Sequence, residues 1–434
     1  MKSLSMNLPL SIDLGDITVR DGLQALEHLF TTDQKLRLAE EIILCGFQYV
    51  EITNFGHPKY LPQFADAEAL LDRLFDSERV GHLLKQNGGT VTVTAVTINE
   101  RAVDRALDYK ARRGRGPDIL LQMVSTDPTH HKVNSGTTLD AYWAMTERCT
   151  AKAAEAGMAM CGTVSTIWGS PLADRQTELD TAVEFARRYL ELGAAYIEHA
   201  DHDGSADPAR VYDYFRRVLD PARMGEFADP KYHLAHFHTT RGMGLANYLA
   251  ALQAGIVRFE TTLSGVGGQP ANILDGRPVS GTGDYYHSAH SLCGLVGSED
   301  FVVMAEAMGV KTGIDLTRLM ASGSLFRDEF LKITKADVAT WIERIAELTG
   351  IEAGAMERAC SPGDISESAL AAAAEKLAIE RSQTVEAARQ SVEALLTALF
   401  AHLRRGFWVP SRAETLDSGL PPSPHLMGYL KQRG

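Results

Sequence analysis

The sequence predicts an α/β fold: a (β/α)8 TIM barrel followed by a helical C-terminal extension. Three observations predict it. Short apolar, β-branched runs alternate with longer segments of helical periodicity. The alternation repeats eight times over about 310 residues, enough for such a barrel with insertions. No Gly-x-Gly-x-x-Gly follows the first strand, so a doubly wound dinucleotide-binding sheet loses its main support. Strands joined by helical crossovers run parallel, because each helix returns the chain to the same end of the sheet.

The first strand is expected at Leu10–Leu14 and the first helix at Thr32–Cys45, where Leu36, Leu38, Ile42 and Ile43 supply apolar positions. Strands follow at Tyr49–Thr53 and Val91–Val96, then a helix at Ala102–Tyr109. Strand Ile119–Val124 precedes helix Leu139–Ala156, and strand Met158–Ser165 precedes helix Glu178–Leu192. Strand Ala195–Ala200 leads to helix Pro208–Leu219, and strand Tyr232–His238 to helix Gly244–Ala254. Strand Arg258–Leu263 completes the set. The barrel is expected over residues 1–330 and the helical extension over 331–434. In the extension Ile365–Leu403 is rich in Ala, Glu, Leu and Arg without Gly or Pro, and Leu370, Ala374, Leu377 and Ile379 are expected on one helix face. Ser361-Pro362-Gly363-Asp364 reads as a turn, and Pro410–Pro424 as irregular chain. The extension suits a cap or a dimerisation element, and a homodimer is expected.

Composition bounds the function. The 434 residues are 45% hydrophobic and 23% charged, ordinary for a soluble globular protein. A formal net charge of −13 argues against a nucleic-acid or anionic-membrane partner. The basic cluster Arg112-Arg113-Gly114-Arg115 reads as a solvated loop or helix end. Five scattered cysteines without a Cys-x-x-Cys pair fit a reducing compartment and exclude a cysteine zinc ribbon. No signal-peptide core opens the chain, and no apolar run approaches the ~20 residues of a membrane span. A cytoplasmic location is expected.

In such barrels catalytic residues sit at the C-terminal ends of strands and in the loops after them. Those places here carry Arg20-Asp21 after strand one, Glu51 in strand two, Glu198 to Gly204 around the end of strand six, and His236-Phe237-His238 at the end of strand seven. Residues i and i+2 of a strand point to the same side, so His236 and His238 face one direction. With Asp21 they make one carboxylate and two imidazoles, a set that suits a divalent metal with positions left open for substrate. Such a metal acts as a Lewis acid while a C–C bond breaks or forms. Arg20 beside it is placed to hold an enolate oxygen. His57, His199 and His202 add imidazoles to the strand ends, as loop residues or as substrate contacts.

These motifs resemble the metallolyase branch of TIM barrels, the DRE-TIM superfamily, which contains 3-hydroxy-3-methylglutaryl-CoA (HMG-CoA) lyase, isopropylmalate synthase and related aldolases. Arg20-Asp21-Gly22-Leu23-Gln24, the segment Glu51 to Gln63, and His236-x-His238-x-Thr240-x-Gly242 with Leu245-Ala246-Asn247 carry the resemblance. So do Ser298 to Gly309 and Thr312 to Leu316, and the match spans roughly residues 10–330. The resemblance implies Asp21, His236 and His238 as metal ligands and Arg20 as the enolate stabiliser. It implies Glu51 as a carboxylate that supports the site or handles a proton, and Asp201 as the group that positions or deprotonates the substrate hydroxyl. Gln24 and Gln269 are expected against the substrate. The fourth ligand is expected just after strand eight. Asn272 lies nearest to the strand end, and Asp284, His287 and His290 compete for the role. Mg2+ or Mn2+ is the expected cofactor, with Co2+ and Zn2+ also compatible.

The chain departs from the lyases in the loop after strand eight, where Gly268-Gln269-Pro270 stands in place of Gly-Cys-Pro. An amide donates hydrogen bonds but does not titrate, so Gln269 cannot replace that thiol as an acid. Cys293 is a packed residue or a substitute thiol. Ala200 occupies the position of the metal-binding lysine of biotin-dependent carboxyltransferases, and Thr239-Thr240 that of the asparagine-aspartate pair of the condensing synthases. The reading is a divalent-metal-dependent carbon–carbon lyase acting on a small 3-hydroxy acid or its acyl-CoA ester. The alternatives are condensation of acetyl-CoA with a 2-oxo acid, and a barrel that binds a ligand without catalysis.

Overall fold

Eight strands pair in parallel and in chain order, and the last pairs back onto the first, so the computed structural model is a closed barrel. The structure describes residues 8–24, 26, 29–59, 61–170, 178–202, 204–239, 242–268, 273–274, 277–278, 294–327, 343–351, 365–382, 384–389, 392–393 and 396. The strands are β1 (Asp13–Asp16), β2 (Tyr49–Asn54), β3 (Thr92–Val96), β4 (Ile119–Ser125), β5 (Ala159–Ser165), β6 (Tyr196–Asp201), β7 (His233–Phe237) and β8 (Arg258–Thr261). Strand β1 spans Asp13–Asp16 and begins later than the expected Leu10. Leu10 is exposed, Ile12 N–H bonds to Lys311 O, and the barrel ladder starts only where Asp13 pairs with Arg258.

The helices of the barrel region are α1 (Thr32–Leu44), α2 (Ala67–Phe75), α3 (Glu100–Arg113), α4 (Pro128–Ser135), α5 (Leu139–Glu155), α6 (Leu179–Glu191), α7 (Pro208–Val218), α8 (Pro221–Met224), α9 (Gly244–Ala254) and α10 (Ser298–Ala307), followed by α11 (Leu316–Phe326). Their starts follow from local chemistry. Thr31 and Gln34 form a reciprocal capping box for α1, and Asn99, Thr138 and Asp207 cap α3, α5 and α7. Helix α3 runs past the expected Tyr109 to Arg113, because its last turn is tied by ion pairs: Arg112 to Glu68 and Arg113 to Asp72. Arg115 pairs with Asp76, so the basic cluster is neutralised by acids of the α2 region.

Alternation along the strands sorts the barrel interior into layers. At the floor the Arg258 guanidinium lies 4.1 Å from the Tyr196 ring centroid and 5.6 Å from that of Tyr49. Leu121, Cys161 and Leu234 share this apolar cluster. Gly15 is required there, because a Cβ would fall inside the Tyr49 ring. Above the floor the interior turns polar, with Glu51, Thr163, Glu198 and Glu260 all buried.

Two compact units divide the chain, Met1–Ser322 and Gly323–Gly434. In the second, Ile345, Leu348, Ile365, Ala373, Ala374, Leu377, Ala378, Ala388, Val392 and Leu396 form their own buried cluster. Helix α12 (Glu367–Arg381) contributes Ala374 and Leu377 to it as expected. Ile379 is not on that face: it is exposed, and Ala373 and Ala378 complete the buried stripe. Two residues beyond Leu377, Ile379 is turned roughly 200° around the helix axis.

Candidate active site

Chain geometry after β1 brings Arg20 and Asp21 into the mouth. Thr18–Gly22 forms one π-helical turn in which Ile17 O accepts from the N–H groups of Arg20, Asp21 and Gly22 at 3.1, 2.8 and 3.3 Å. Such turns recur at functional sites. Arg20 donates through Nη1 to Asp21 Oδ2 at 2.7 Å and through Nε to Glu51 Oε1. Burial works against the guanidinium charge, but Glu51 and Asp21 outweigh it and hold the Arg20 pKa above its ordinary value.

Asp21 is fixed from two further directions. Gln24 Nε2 donates to Asp21 Oδ2 at 3.2 Å and to Gly268 O at 2.9 Å, and Gly268 N–H donates to Asp21 Oδ1 at 3.3 Å. The Gly267-Gly268 backbone can approach this closely because both residues have positive φ, 152° and 140°. A Cβ on Gly267 would sit 2.8 Å from Asp21 Oδ1.

His236 and His238 point into the same mouth, with their Nε2 atoms 3.4 Å apart. Burial, reinforced by the fields of His238, Arg20 and His202, drives the His236 pKa well below its usual value, so the imidazole is neutral and ligand-competent. His236 Nδ1 lies 3.1 Å from Glu260 Oε2 and 3.6 Å from Glu198 Oε1. Those carboxylates hold a proton on Nδ1 and leave the Nε2 lone pair facing His238. One carboxylate oxygen of Asp21 and one nitrogen of each histidine lie within 4.8 Å of one another, all three residues being buried. Two imidazole nitrogens turned toward each other and a carboxylate fit a divalent cation with open coordination positions.

Glu51, Glu198 and Glu260 form an acidic layer beneath. Burial raises the Glu51 pKa, with Arg20 pulling it down. Burial and the neighbouring Glu51 push Glu198 up to about 8, and burial with Glu198 lifts Glu260 further. Sequence reasoning places Glu198 at the end of strand six without giving it a role, and it does not single out Glu260. Their signal was an acid at an inward-facing position of a strand that is otherwise buried and apolar.

Asp201 belongs to neither group of candidate donors. Its Oδ1 accepts from the N–H groups of Ser205 and Ala206 at 3.0 and 3.2 Å, and Oδ2 from Ala206 N–H at 3.2 Å, so it organises the loop after β6. His199 faces the helix layer instead of the mouth, bonded to Tyr214 and His233. His202 is buried, its ring 5.0 Å from that of His130 and 6.5 Å from that of His238. His57 Nδ1 accepts from Lys59 N–H at 3.1 Å on an exposed turn. Gln269, Asn272, Asp284, His287, His290 and Cys293 lie outside the described residues.

A closed β/α barrel with a one-carboxylate, two-imidazole cluster and a buried arginine at its C-terminal mouth defines a class, the barrel enzymes that work on carbonyl and hydroxyl substrates through a metal. Within it the chain belongs to the HMGL-like family, whose model matches residues 11–326. The hydroxymethylglutaryl-CoA lyase YngG of Bacillus subtilis is 25% identical over 327 residues, covering 75% of this chain and 96% of its own. The (R)-citramalyl-CoA lyase of Chloroflexus aurantiacus is 27% identical over 314 residues, covering 72% of this chain and 89% of its own. Among solved structures, the Bacillus subtilis HMG-CoA lyase superposes with a TM-score of 0.61 at 25% identity, covering 75% of this chain and 95% of its own. An HMG-CoA lyase from Acinetobacter baumannii in complex with coenzyme A and 3-methylmalate gives 0.61 at 25% identity, covering 73% and 90%. The protein is accordingly a carbon–carbon lyase. Among the described residues no helix is long and apolar enough to cross a membrane.

Proposed function

We propose that the protein cleaves a small 3-hydroxy acid, as its acyl-CoA ester, by a retro-aldol (Claisen-type) reaction at the Asp21–His236–His238 centre. The observation that carries the reading is the convergence of these three donors within 4.8 Å, with Arg20 bonded to one of them. The two groups of relatives, HMG-CoA lyases and a citramalyl-CoA lyase, support an acyl-CoA substrate. Asp21, His236 and His238 hold the cation, which when bound supplies Lewis-acid polarisation of the substrate oxygens.

The remaining roles fall to this chain's own side chains. Arg20 uses Nε and Nη1 on Glu51 and Asp21, which leaves Nη2 to the oxygen that becomes enolate. Glu51 is the proton acceptor the geometry favours, because its Oε2 is buried without a hydrogen-bond partner, whereas both oxygens of Asp201 accept backbone N–H groups. Glu51 takes the hydroxyl proton, the bond between the α and β carbons breaks, the β carbon becomes a carbonyl, and the electron pair passes into the enolate. Returning the proton to the enolate carbon closes the balance. A thiol is not required at position 269 if Glu51 carries that proton both ways.

The test is to incubate the purified protein with Mn2+ or Mg2+ and a panel of 3-hydroxyacyl-CoA esters and free 3-hydroxy acids, and to identify cleavage products by mass spectrometry. Acyl-CoA plus a carbonyl compound is expected, lost in Asp21→Ala. Undiminished turnover by metal-stripped protein would sink the reading.

A further inference from the structure

One buried acid stands on the helix side of the barrel wall. Gly15 faces the Tyr49 ring at the floor, so its neighbour Asp16 points outward, between the sheet and the helix layer. A carboxyl buried in such a layer is less favourable than a hydrocarbon of the same size. Asp16 is 1% exposed. Burial pushes its pKa up to about 7 against the pull of its bonds from Thr18 and Ser298, and the Glu299 field adds to the rise. A hydrocarbon could fill the space but could not make those bonds.

The bonds join the two segments that meet at Asp21. Asp16 Oδ1 accepts from Thr18 N–H at 2.9 Å, at the start of the π-helical turn that carries Arg20 and Asp21. Thr18 Oγ1 in turn accepts from Leu263 N–H at 2.8 Å, at the start of the loop that leads to Gly267-Gly268. Asp16 Oδ2 lies 2.8 Å from Ser298 Oγ in the first turn of α10. That same turn grips the loop after β8: Ser298 N–H donates to Thr262 O at 2.8 Å, and Glu299 Oε2 accepts from Ser264 N–H at 2.8 Å. Ser264 has a φ of 56°, a conformation uncommon outside glycine, so that loop needs holding. The loop then delivers Gly268 N–H to Asp21 Oδ1.

We propose that Asp16 and Ser298 are positioning residues for the metal centre: they set where Asp21 stands relative to the Gly267-Gly268 loop, and so how tightly the cation is held. The inference rests on the reading of Asp21 as a ligand. Asp16 acts as a hydrogen-bonding bridge and not as a charge. Ser298 Oγ is 2.8 Å from Thr261 Oγ1, which donates to Gly15 O at 3.3 Å. With the carboxyl neutral, Oδ2 donates to Ser298, Ser298 to Thr261 and Thr261 to the carbonyl. With the carboxyl ionised, Ser298 donates to Oδ2 instead. The Asp16–Ser298 bond survives in both forms, and Oδ1 accepts from Thr18 in both.

Mn2+ binding to the whole protein, stripped of metal and titrated by electron paramagnetic resonance, reads the effect without turnover. Asp16→Ala is expected to raise the Mn2+ Kd about 10-fold, in the range of losses caused by removing groups that orient a ligand. Asp16→Asn keeps an acceptor for Thr18 and offers Nδ2 to Ser298, and is expected to recover most of the loss. Ser298→Ala removes one bond only and is expected to cause a smaller rise, which the double variant with Asp16→Ala does not add to. Leu74→Ala, a buried change on α2 away from the mouth, is expected to lower the urea midpoint with no change in Kd. An unchanged Kd in both Asp16→Ala and Ser298→Ala overturns the proposal and leaves the proposed function standing. Equal weakening by Leu74→Ala overturns it too, because general destabilisation then accounts for the effect. Asp16→Asn as damaging as Asp16→Ala overturns the bridge in favour of charge. Where Asp16→Ala does not fold, Ser298→Ala and Asp16→Asn decide. Mn2+ binding that survives Asp21→Ala overturns the reading of the centre itself.

Discussion

Glu260 Oε2 stands 3.1 Å from His236 Nδ1, so a buried acid on β8 selects the tautomer of an imidazole on β7. Only with the proton on Nδ1 does Nε2 turn a lone pair toward His238 and Asp21. Removing the acceptor in Glu260→Ala is expected to raise the Mn2+ concentration that half-saturates turnover by about 10- to 100-fold. Glu260→Gln keeps a carbonyl oxygen for the Nδ1 proton and is expected to recover most of the loss. Equal damage by both substitutions would show that charge, not orientation, is what Glu260 provides.

Arg20 binds Glu51 and Asp21 through different nitrogens of one planar fork. Lysine carries a single point of charge and cannot hold both acids while offering another donor to an enolate. Arg20→Lys is therefore expected to lower kcat by about 10²- to 10³-fold, the usual cost of losing a preorganised oxyanion donor, while Mn2+ binding is retained. Steady-state kinetics beside a metal titration checks it. Turnover within a factor of two or so of the unaltered protein would remove Arg20 from the chemistry.

The barrel and half of its mouth are legible in the sequence for a physical reason. Strand alternation forces His236 and His238 to one side, and the strand-end rule then singles out Arg20, Asp21 and Glu51. Closure of the sheet is what a linear reading does not show. Glu198 and Glu260 acquire meaning only when β6 and β8 flank β7 and both acids converge on His236. Asp201 shows what a linear reading leaves out. It ends a barrel strand, as a catalytic acid would, yet its carboxylate serves the backbone of the loop that follows. His199 lies one residue from an inward-facing acid and therefore faces outward, which alternation alone predicts once the strand is fixed in register.

Gly267 bears φ 152°, and a Cβ there would come 2.8 Å from Asp21 Oδ1 and overlap the Leu295 side chain. Gly267→Ala is expected to push the loop off the carboxylate and break the bond from Gly268 N–H. A raised half-saturating Mn2+ concentration and a stability loss of about 1–3 kcal/mol, read from urea midpoints, are expected. Unchanged metal dependence would mean that Asp21 is held well enough by Arg20 and Gln24 alone.

A hydrogen-bonded chain outside the barrel gives the fold an acid limit. His233 Nε2 lies 2.8 Å from Phe227 O, an acceptor only, so Nε2 carries the proton and Nδ1 accepts. His199 Nε2 then donates to His233 Nδ1 at 3.0 Å, and Tyr214 Oη donates to His199 Nδ1 at 2.8 Å. A proton on His233 Nδ1 would face the His199 Nε2 donor unless His199 and Tyr214 reversed the direction of their bonds. Burial lowers the His233 pKa from 6.5 to about 4 and drives that of His199 well below its usual value, with the His233 charge adding to the effect. As the pH falls from 6.5 toward 4, the unfolded chain takes up a proton that the folded chain refuses, so stability is lost over that window. The loss from His233 alone amounts to about 3 kcal/mol at its full extent. His233→Gln preserves a donor to Phe227 O and an acceptor for His199 without titrating. Its urea midpoint is expected to drop less than that of the unaltered protein between pH 7 and pH 5, and parallel drops would show that the acid sensitivity arises elsewhere.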